Sequence, residues 1–377
     1  MTRVIADTCR KHPGPSSGTV NKRSHQGLLC LTIGHKIMRM PIDFAMPTHP
    51  PTHQPILSPE QDAYLRERSD WMGAYLVLHA WGVIALAMAF FVAWPNPLSF
   101  IVAIVVIGGR QLGLAILMHD AAHRALFKNT WLNDTLGAFL CGWPVGASLT
   151  LYRPYHLSHH RHTQQKEDPD LILSAPFPIS RQSFWRKMRR DILGITGYQR
   201  RLEFFRTEMG QDPSRLQRLK NLLAAEKYFF LSNALVFAIT AAAGVWWAYF
   251  ALWLLPLLTW YQVITRIRNI AEHAVVGNDD DRLRNTRTTL THWGMRMVLA
   301  PYWVNYHLEH HLFVFTPCWK LPAAHRMLIE QGFGPRMELA KGYLEVLRKA
   351  TASPHDGPKS GQTGGQTTNR RKGATLI

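Results

Sequence analysis

The sequence predicts an all-α integral membrane protein, with four transmembrane helices as two hairpins and a cytoplasmic helical cap carrying a histidine-rich centre. Three observations predict it. Two pairs of apolar runs have membrane-spanning length, basic residues gather on one side of those runs, and 19 histidines occur in 377 residues, several of them in tight clusters. The chain is 47% hydrophobic yet carries 43 Lys and Arg against 25 Asp and Glu, a formal charge of +18. Such a balance fits nucleic acid, an anionic membrane surface or an acidic protein partner. The long apolar runs favour the membrane. A nucleic-acid role would need a basic domain apart from those runs, and only the tails qualify.

The first pair of runs is 74–94 and 98–118, separated by Pro95, Asn96 and Pro97; the second is 228–246 and 248–265. About 20 residues at ~1.5 Å rise cross a hydrocarbon core of ~30 Å, so each pair returns the chain to the side it left. The stretch 181–227 is rich in arginine and lysine, including Arg200 and Arg201, whereas the hairpin tips hold neither residue type. Positive charge stays inside, which places the middle region, both tails and the histidine clusters on the cytoplasmic face of the cell inner membrane. Trp71, Trp94, Trp246 and Trp247 fall at span ends, where indole rings favour the interface. A weaker apolar segment, 135–151, is interrupted by Gly and Pro and reads as a re-entrant or surface-lying helix.

Residues 1–55 are polar, Pro-rich and basic without an apolar period and read as a disordered tail, with Met38, Met40 and Met46 as alternative starts. The segment 28–33 is too short for a signal-peptide core. The membrane domain occupies 56–350, and 351–377 is a second disordered tail. Four scattered cysteines form no CxxC pair, which argues against a disulfide framework or a zinc ribbon.

Three clusters carry the chemistry: His119 and His123 in HDAAH, His156, His159 and His160 in HLSHH, and His307, His310 and His311 in HLEHH. On a helix, positions i and i+4 share a face, and neutral imidazole is a good ligand for iron, zinc or copper. Eight such groups at one membrane face suit two ions better than one. At this histidine frequency a single HxxHH is expected by chance roughly 0.05 times.

These boxes, placed around two membrane hairpins, resemble the membrane fatty acid desaturase and hydroxylase superfamily over residues 70–345, and bacterial members in particular. Arg110-Gln111 before the first box, HRHTQQKEDPD around the second, and NYHLEHHLF followed by Pro317 and Leu321-Pro322 carry the likeness. The resemblance implies two irons, O2 as co-substrate, a membrane lipid or acyl substrate, and a separate ferredoxin or cytochrome b5-type electron donor. It implies a ninth ligand, His273, with Asn269 four residues earlier reaching metal through water. Its two outcomes are desaturation, expected here, and hydroxylation; an unusual amphiphilic or amino-acid-derived substrate is the other variation. The Lys-His-Pro-Gly-Pro run at 11–15 is too short for a fused cytochrome b5 domain. A membrane haem carrier would need paired intramembrane histidines, and only His79 lies within a span.

Ligating imidazoles usually donate their second N–H to an outer partner, and Asp120, Asp168, Asp170, Glu272 and Glu309 are the candidates. Arg110, costly at its depth, reads as an internal ion pair or as a contact to substrate or a site acid. His162 reads as structural, and Asp279-Asp280-Asp281 as a solvated turn.

Overall fold

A computed structural model of the chain describes residues 56–277 and 281–352, together with the backbone of a small antiparallel hairpin, β1 (Cys30–Ile33) with β2 (Lys36–Arg39). Apart from that hairpin, the two tails expected to be disordered lie outside the described residues, except Thr351 and Ala352, as do Asp279 and Asp280. Residues 1–55 form a unit separate from the rest. The helices and the histidine clusters all belong to the larger unit.

Helix α1 (Pro59–Arg66) starts on a reciprocal cap: the Ser58 hydroxyl accepts from the Gln61 N–H, and the Gln61 side chain accepts from the Ser58 N–H. Helix α2 (Asp70–Ala93) begins on Ser69, and α3 (Pro97–Ala122) on Asn96, whose side chain accepts from the Leu98 and Ser99 amides. Pro97 occupies the first turn of α3, where its missing N–H costs nothing. Pro-Asn-Pro is therefore both turn and helix start, which is why the first hairpin is so tight.

Next come α4 (Thr130–Leu136), a π turn at Gly137–Gly142, a 3-10 turn at Trp143–Val145 and α5 (Leu149–His162). The apolar segment 135–151 is thus broken into short pieces packed beside α3, not a fifth helix of crossing length. Helices α6 (Leu171–Ser174), α7 (Arg181–Ile192) and α8 (Ile195–Met209) form the basic middle region. The third span is α9 (Arg215–Ala242). The fourth runs Tyr249–His273 and comprises a π turn, α10 (Leu255–Leu258) and α11 (Trp260–His273). Both run past the ends expected from hydropathy. Amphipathic polar turns extend α9 backward to Arg215 and α11 forward to His273.

The remainder is β3 (Thr288–Thr289), α12 (Trp293–Val298), α13 (His307–Leu312), α14 (Leu321–Glu330), β4 (Leu339–Ala340) and α15 (Tyr343–Ala350), with β3 and β4 paired in parallel. Four helices are long and apolar enough to cross a membrane. They divide into two kinds. The apolar windows of α2 and α9 are 28% and 17% buried, and those of α3 and the fourth span 67% and 56%. The first two present side chains to lipid, while the second two form the inside of the bundle.

Glycines on α3 let its neighbours approach. A Cβ at Gly108 would stand 2.8 Å from the Trp260 ring, and one at Gly109 would stand 3.0 Å from the Met297 carbonyl oxygen. Small residues at such contacts are the usual means of close helix packing in lipid. Trp71, Trp94, Trp246 and Trp247 are all exposed, as expected of interfacial anchors.

Arg110 corrects the sequence reading. Its partner is neither a carboxylate nor a site acid: its guanidinium donates to the Met297 carbonyl at 2.6 Å and lies over the Tyr302 ring. Gln111 beside it donates to the Trp253 carbonyl at 2.7 Å. Both satisfy backbone groups inside the bundle, as an intramembrane polar side chain must.

Candidate metal centre

The histidine-bearing helices α3, α5, α11 and α13 bring their C-terminal ends to one place. There the nine predicted imidazoles sort into two groups: His119, His123, His156, His160 and His310 in one, and His159, His273, His307 and His311 in the other. Within each group the ligand-capable nitrogens lie within 4.8 Å of one another. The spacing left this partition open, and helix geometry explains it. In HLSHH the i, i+4 pair His156 and His160 stays together while His159 turns to the other group. In HLEHH the pair His307 and His311 stays together and His310 crosses. Each HxxHH box therefore serves both groups.

The nitrogens fit bound ions better than they fit one another. His156 Nε2 to His160 Nε2 is 2.8 Å, His160 Nε2 to His310 Nε2 3.0 Å, His273 Nε2 to His307 Nε2 2.8 Å and His307 Nε2 to His311 Nε2 3.1 Å. An ion held at about 2.1 Å by imidazoles at right angles sets their nitrogens about 3.0 Å apart. Both ring nitrogens of His119 and of His123 are buried without a hydrogen-bond partner, as are His159 Nε2 and His273 Nδ1. Buried polar atoms left unpaired cost free energy, and a ligand ion would take one nitrogen of each ring. Burial, reinforced by neighbouring histidines, also holds the imidazoles of His123, His156, His160, His307, His310 and His311 well below the ordinary histidine range. They are neutral, the form that ligates.

The proposed outer partners separate on inspection. Asp168 Oδ1 accepts from His159 Nδ1 at 2.8 Å and from the Asp170 N–H at 2.8 Å, while Oδ2 accepts from the Gln164 N–H at 2.9 Å. Asp170 instead accepts from the Tyr155 hydroxyl at 2.5 Å and stands 3.9 Å from His159 Nδ1. Glu272 is held by Arg268 Nε at 2.6 and 2.8 Å, and its nearest approach to His307 Nε2 is 3.7 Å. Asp120 lies 3.7 Å from His119 Nδ1 and accepts from the Cys318 N–H at 2.9 Å. Its contact thus pins the chain that follows the third box. Glu309 points away from the two groups. It accepts from His325 Nδ1 at 2.6 Å and from the Thr288 hydroxyl. Among the described residues Asn269 makes no side-chain hydrogen bond to either group. His162 stands outside both, with Nδ1 3.1 Å from the Ser158 carbonyl oxygen.

Several residues had no signal in the sequence. Arg153 donates to the Ala121 and Ala122 carbonyls at the end of α3, each at 2.9 Å, and pairs with Asp134. The fully buried Arg287 donates to the Ala271, Ala274 and Val275 carbonyls at the end of α11. Arg282 donates to the His311 and Leu312 carbonyls at the end of α13. Gln164 Nε2 donates to the His273 carbonyl at 2.8 Å. Left-handed backbone also gathers here: Arg124 follows His123, Gln164 follows the second box, Val275 follows His273, and Tyr302 and Trp303 precede the third box. Outliers of this kind persist only where surrounding structure over-determines them. Only Arg268, four residues before Glu272 on one helix, was open to spacing arguments.

These imidazoles, held against the ends of membrane spans, form two groups that could hold metal ions; the fold and site define a membrane-bound oxidoreductase. The chain belongs to the fatty acid desaturase family, whose profile matches residues 95–337. Among curated relatives, dihydrorhizobitoxine desaturase of Bradyrhizobium elkanii is 30% identical over 273 residues, 69% of this chain and 76% of that one. The sn-1 oleoyl-lipid 12-desaturase of Synechocystis is 24% identical over 286 residues, covering 70% and 77%, and that of Picosynechococcus is 21% identical over 268 residues, covering 66% and 74%. The protein is an integral membrane oxidoreductase of the desaturase type.

Proposed function

We propose that the chain is an O2-dependent di-iron desaturase that introduces a double bond into an aliphatic chain. The observation that carries this is the pair of buried, neutral imidazole groups with nitrogens at ligand spacing. His119, His123, His156, His160 and His310 would hold one iron, and His159, His273, His307 and His311 the other. Iron supplies the reductive activation of O2 that no side chain provides. In balance, –CH2–CH2– with O2, two electrons and two protons yields –CH=CH– and two waters. The electrons come from a separate acidic one-electron carrier of the ferredoxin or cytochrome b5 type, for which the basic region of α7 and α8 offers complementary charge. In this reading both tails and the centre face the cytoplasm.

The chain's own residues orient and seal. Asp168 fixes the tautomer and plane of His159. The helix ends capped by Arg153, Arg282 and Arg287 hold the histidines in register. Tyr152, stacked on His156 with ring centroids 4.9 Å apart, closes one side.

An aliphatic fatty acyl chain is the first substrate reading. A compact amino-acid-derived amphiphile is the second, favoured by the relative named for dihydrorhizobitoxine and by a cavity of 110 Å³ against Tyr152. The test is mass spectrometry of lipids and polar acids from cells with and without the gene, beside iron analysis of purified protein from iron-replete cells. Loss of two hydrogens in a product and about two irons per chain are expected. Gain of one oxygen identifies a hydroxylase, and trace iron overturns the proposal.

A further inference from the structure

Outside the histidine groups, that cavity has no role in the reading so far. It lies between α8, the inner part of the fourth span and the loop leading into α5; Arg200, Arg201, Phe204, Phe229, Tyr152 and Tyr261 line it. Its inner wall is Tyr152, whose ring stacks on His156 and lies 6.3 Å from the His119 ring. One aromatic side chain therefore separates the space from the first histidine group.

Arg201 is unusual within it. Its side chain is 25% exposed, and its nearest carboxylate, Glu226, stands 4.0 Å away. Among the described residues its one hydrogen bond goes to the Val145 carbonyl at a long 3.4 Å. A guanidinium offers five N–H donors in a planar fork, so most of its capacity is unspent. What holds it is aromatic: Phe229 at 4.5 Å, Phe205 at 5.6 Å and Phe204 at 5.7 Å from ring centroid to guanidinium carbon. It also presses against Gly146, where a Cβ would stand 1.8 Å from Nη2 and where φ is +80°. Only glycine allows both that backbone and that approach. Arg200, the next residue, donates to Gln262 on the same wall at 3.1 Å. The result is a cation oriented by packing, with its hydrogen-bonding edge largely unused, beside a small apolar space.

We propose that Arg201, supported by Arg200, binds the free carboxylate of the substrate. This rests on the desaturase reading and narrows it: the chain to be desaturated arrives as the free acid, not as a thioester or glycerolipid ester. Carboxylate matches the planar fork in two parallel hydrogen bonds. The space, 110 Å³, has room for the carboxylate end of an acid and not for a phosphodiester with its glycerol. An ester or thioester would leave the fork without its charge-assisted pair.

The test measures binding, without turnover, to the metal-loaded protein in neutral detergent, with no reductant present. The probes are octanoate, methyl octanoate and octyl phosphate. Octanoate is expected to bind about tenfold tighter than the methyl ester, the equivalent of one charged hydrogen bond, and tighter than octyl phosphate. In Arg201→Gln the acid-over-ester preference disappears while iron content is unchanged. In Arg201→Lys, which keeps the charge and loses the fork, it shrinks without vanishing. Should Arg201→Gln fail to fold, the wild type and Arg201→Lys decide. Equal binding of acid and ester, an undiminished preference in either variant, or octyl phosphate binding tightest overturns the proposal. Acid preference in a protein that never forms an alkene leaves this subsite standing and sinks the desaturase reading; turnover of esters without acid preference does the reverse.

Discussion

Asp168 offers the sharpest test of how the histidine groups are held. Its carboxylate accepts from His159 Nδ1 and from the Gln164 and Asp170 amides, and the side chains of His159 and Asp168 are only 1% and 2% exposed. With Nδ1–H committed to Asp168, His159 turns Nε2 toward the second group, and Nε2 has no other partner. Replacement by alanine strands three donors. An unsatisfied buried donor costs about 1–3 kcal/mol. Loss of an outer partner of a ligating histidine weakens metal binding about 10–100-fold, or about 1.4–2.8 kcal/mol. The first figure bears on folding and the second on metal affinity. Asp168→Asn keeps the shape but sets an N–H2 against either the Gln164 amide or the His159 ring, so it should recover only part of the loss. Asp170→Asn is the control, because Asp170 spends its hydrogen bond on Tyr155. Chelator competition on purified protein reads iron affinity, and circular dichroism confirms folding. A folded Asp168→Ala that keeps wild-type affinity, or an Asp170→Asn that loses as much, refutes the reasoning.

Three further outcomes rest on the same geometry. His160→Ala and His310→Ala remove nitrogens that stand 3.0 Å apart in the first group; both should lower iron per chain and abolish turnover, and wild-type values in either refute the ligand assignment. Six imidazoles are depressed by burial. Their stabilisation is therefore complete above the unfolded histidine value of about 6.5 and is lost as pH falls below it. The melting midpoint of metal-free protein should be flat above about pH 7 and drop steadily below about pH 6.5; a midpoint that rises on acidification contradicts the burial. On α2, Gly73→Ala would set a Cβ 2.4 Å from the Leu126 carbonyl oxygen, whereas Gly82 has open space. The first should cost about 1–3 kcal/mol and Gly82→Ala essentially nothing, and equal melting shifts would show that α2 does not pack there.

The four spans were legible because hydropathy is a local property and each run had the length the bilayer demands. Their inner ends were not, because Arg266, Arg268 and Glu272 look soluble in sequence and are covered only by tertiary packing. Arg266, for instance, pairs with Asp191, a residue on α7 far away in the chain, at 2.5 and 2.9 Å. The charged stretch 181–227 showed its sign but not its helices. The histidines announced themselves because metal ligation demands a residue type at fixed helical spacing. Their division into two groups waited on the relative rotation of α5 and α13. Glu309 and Arg110 were left with alternatives for one reason: a buried charge needs a partner, and sequence does not say which. The partners are His325 and a backbone carbonyl.

The basic excess acquires a second meaning from the site. Helices α3, α11 and α13 each end at the histidine groups, so their last carbonyls, and the negative ends of their dipoles, point to the same region. Left bare in a dry interior those carbonyls would be costly. Each end is met by an arginine: Arg153 at α3, Arg287 at α11 and Arg282 at α13. Helix α5 ends differently, with the Thr163 hydroxyl donating to the His159 carbonyl at 2.9 Å. Guanidinium suits the task because one planar group reaches several carbonyls at once, as Arg287 does with three. Negative helix ends also favour cations held by neutral imidazoles, which bring no charge of their own. Positive charge in this chain thus also closes the helix ends that frame the histidines on the inside. Changing an arginine to lysine on the outer face should be tolerated, while the same change at Arg287 should not.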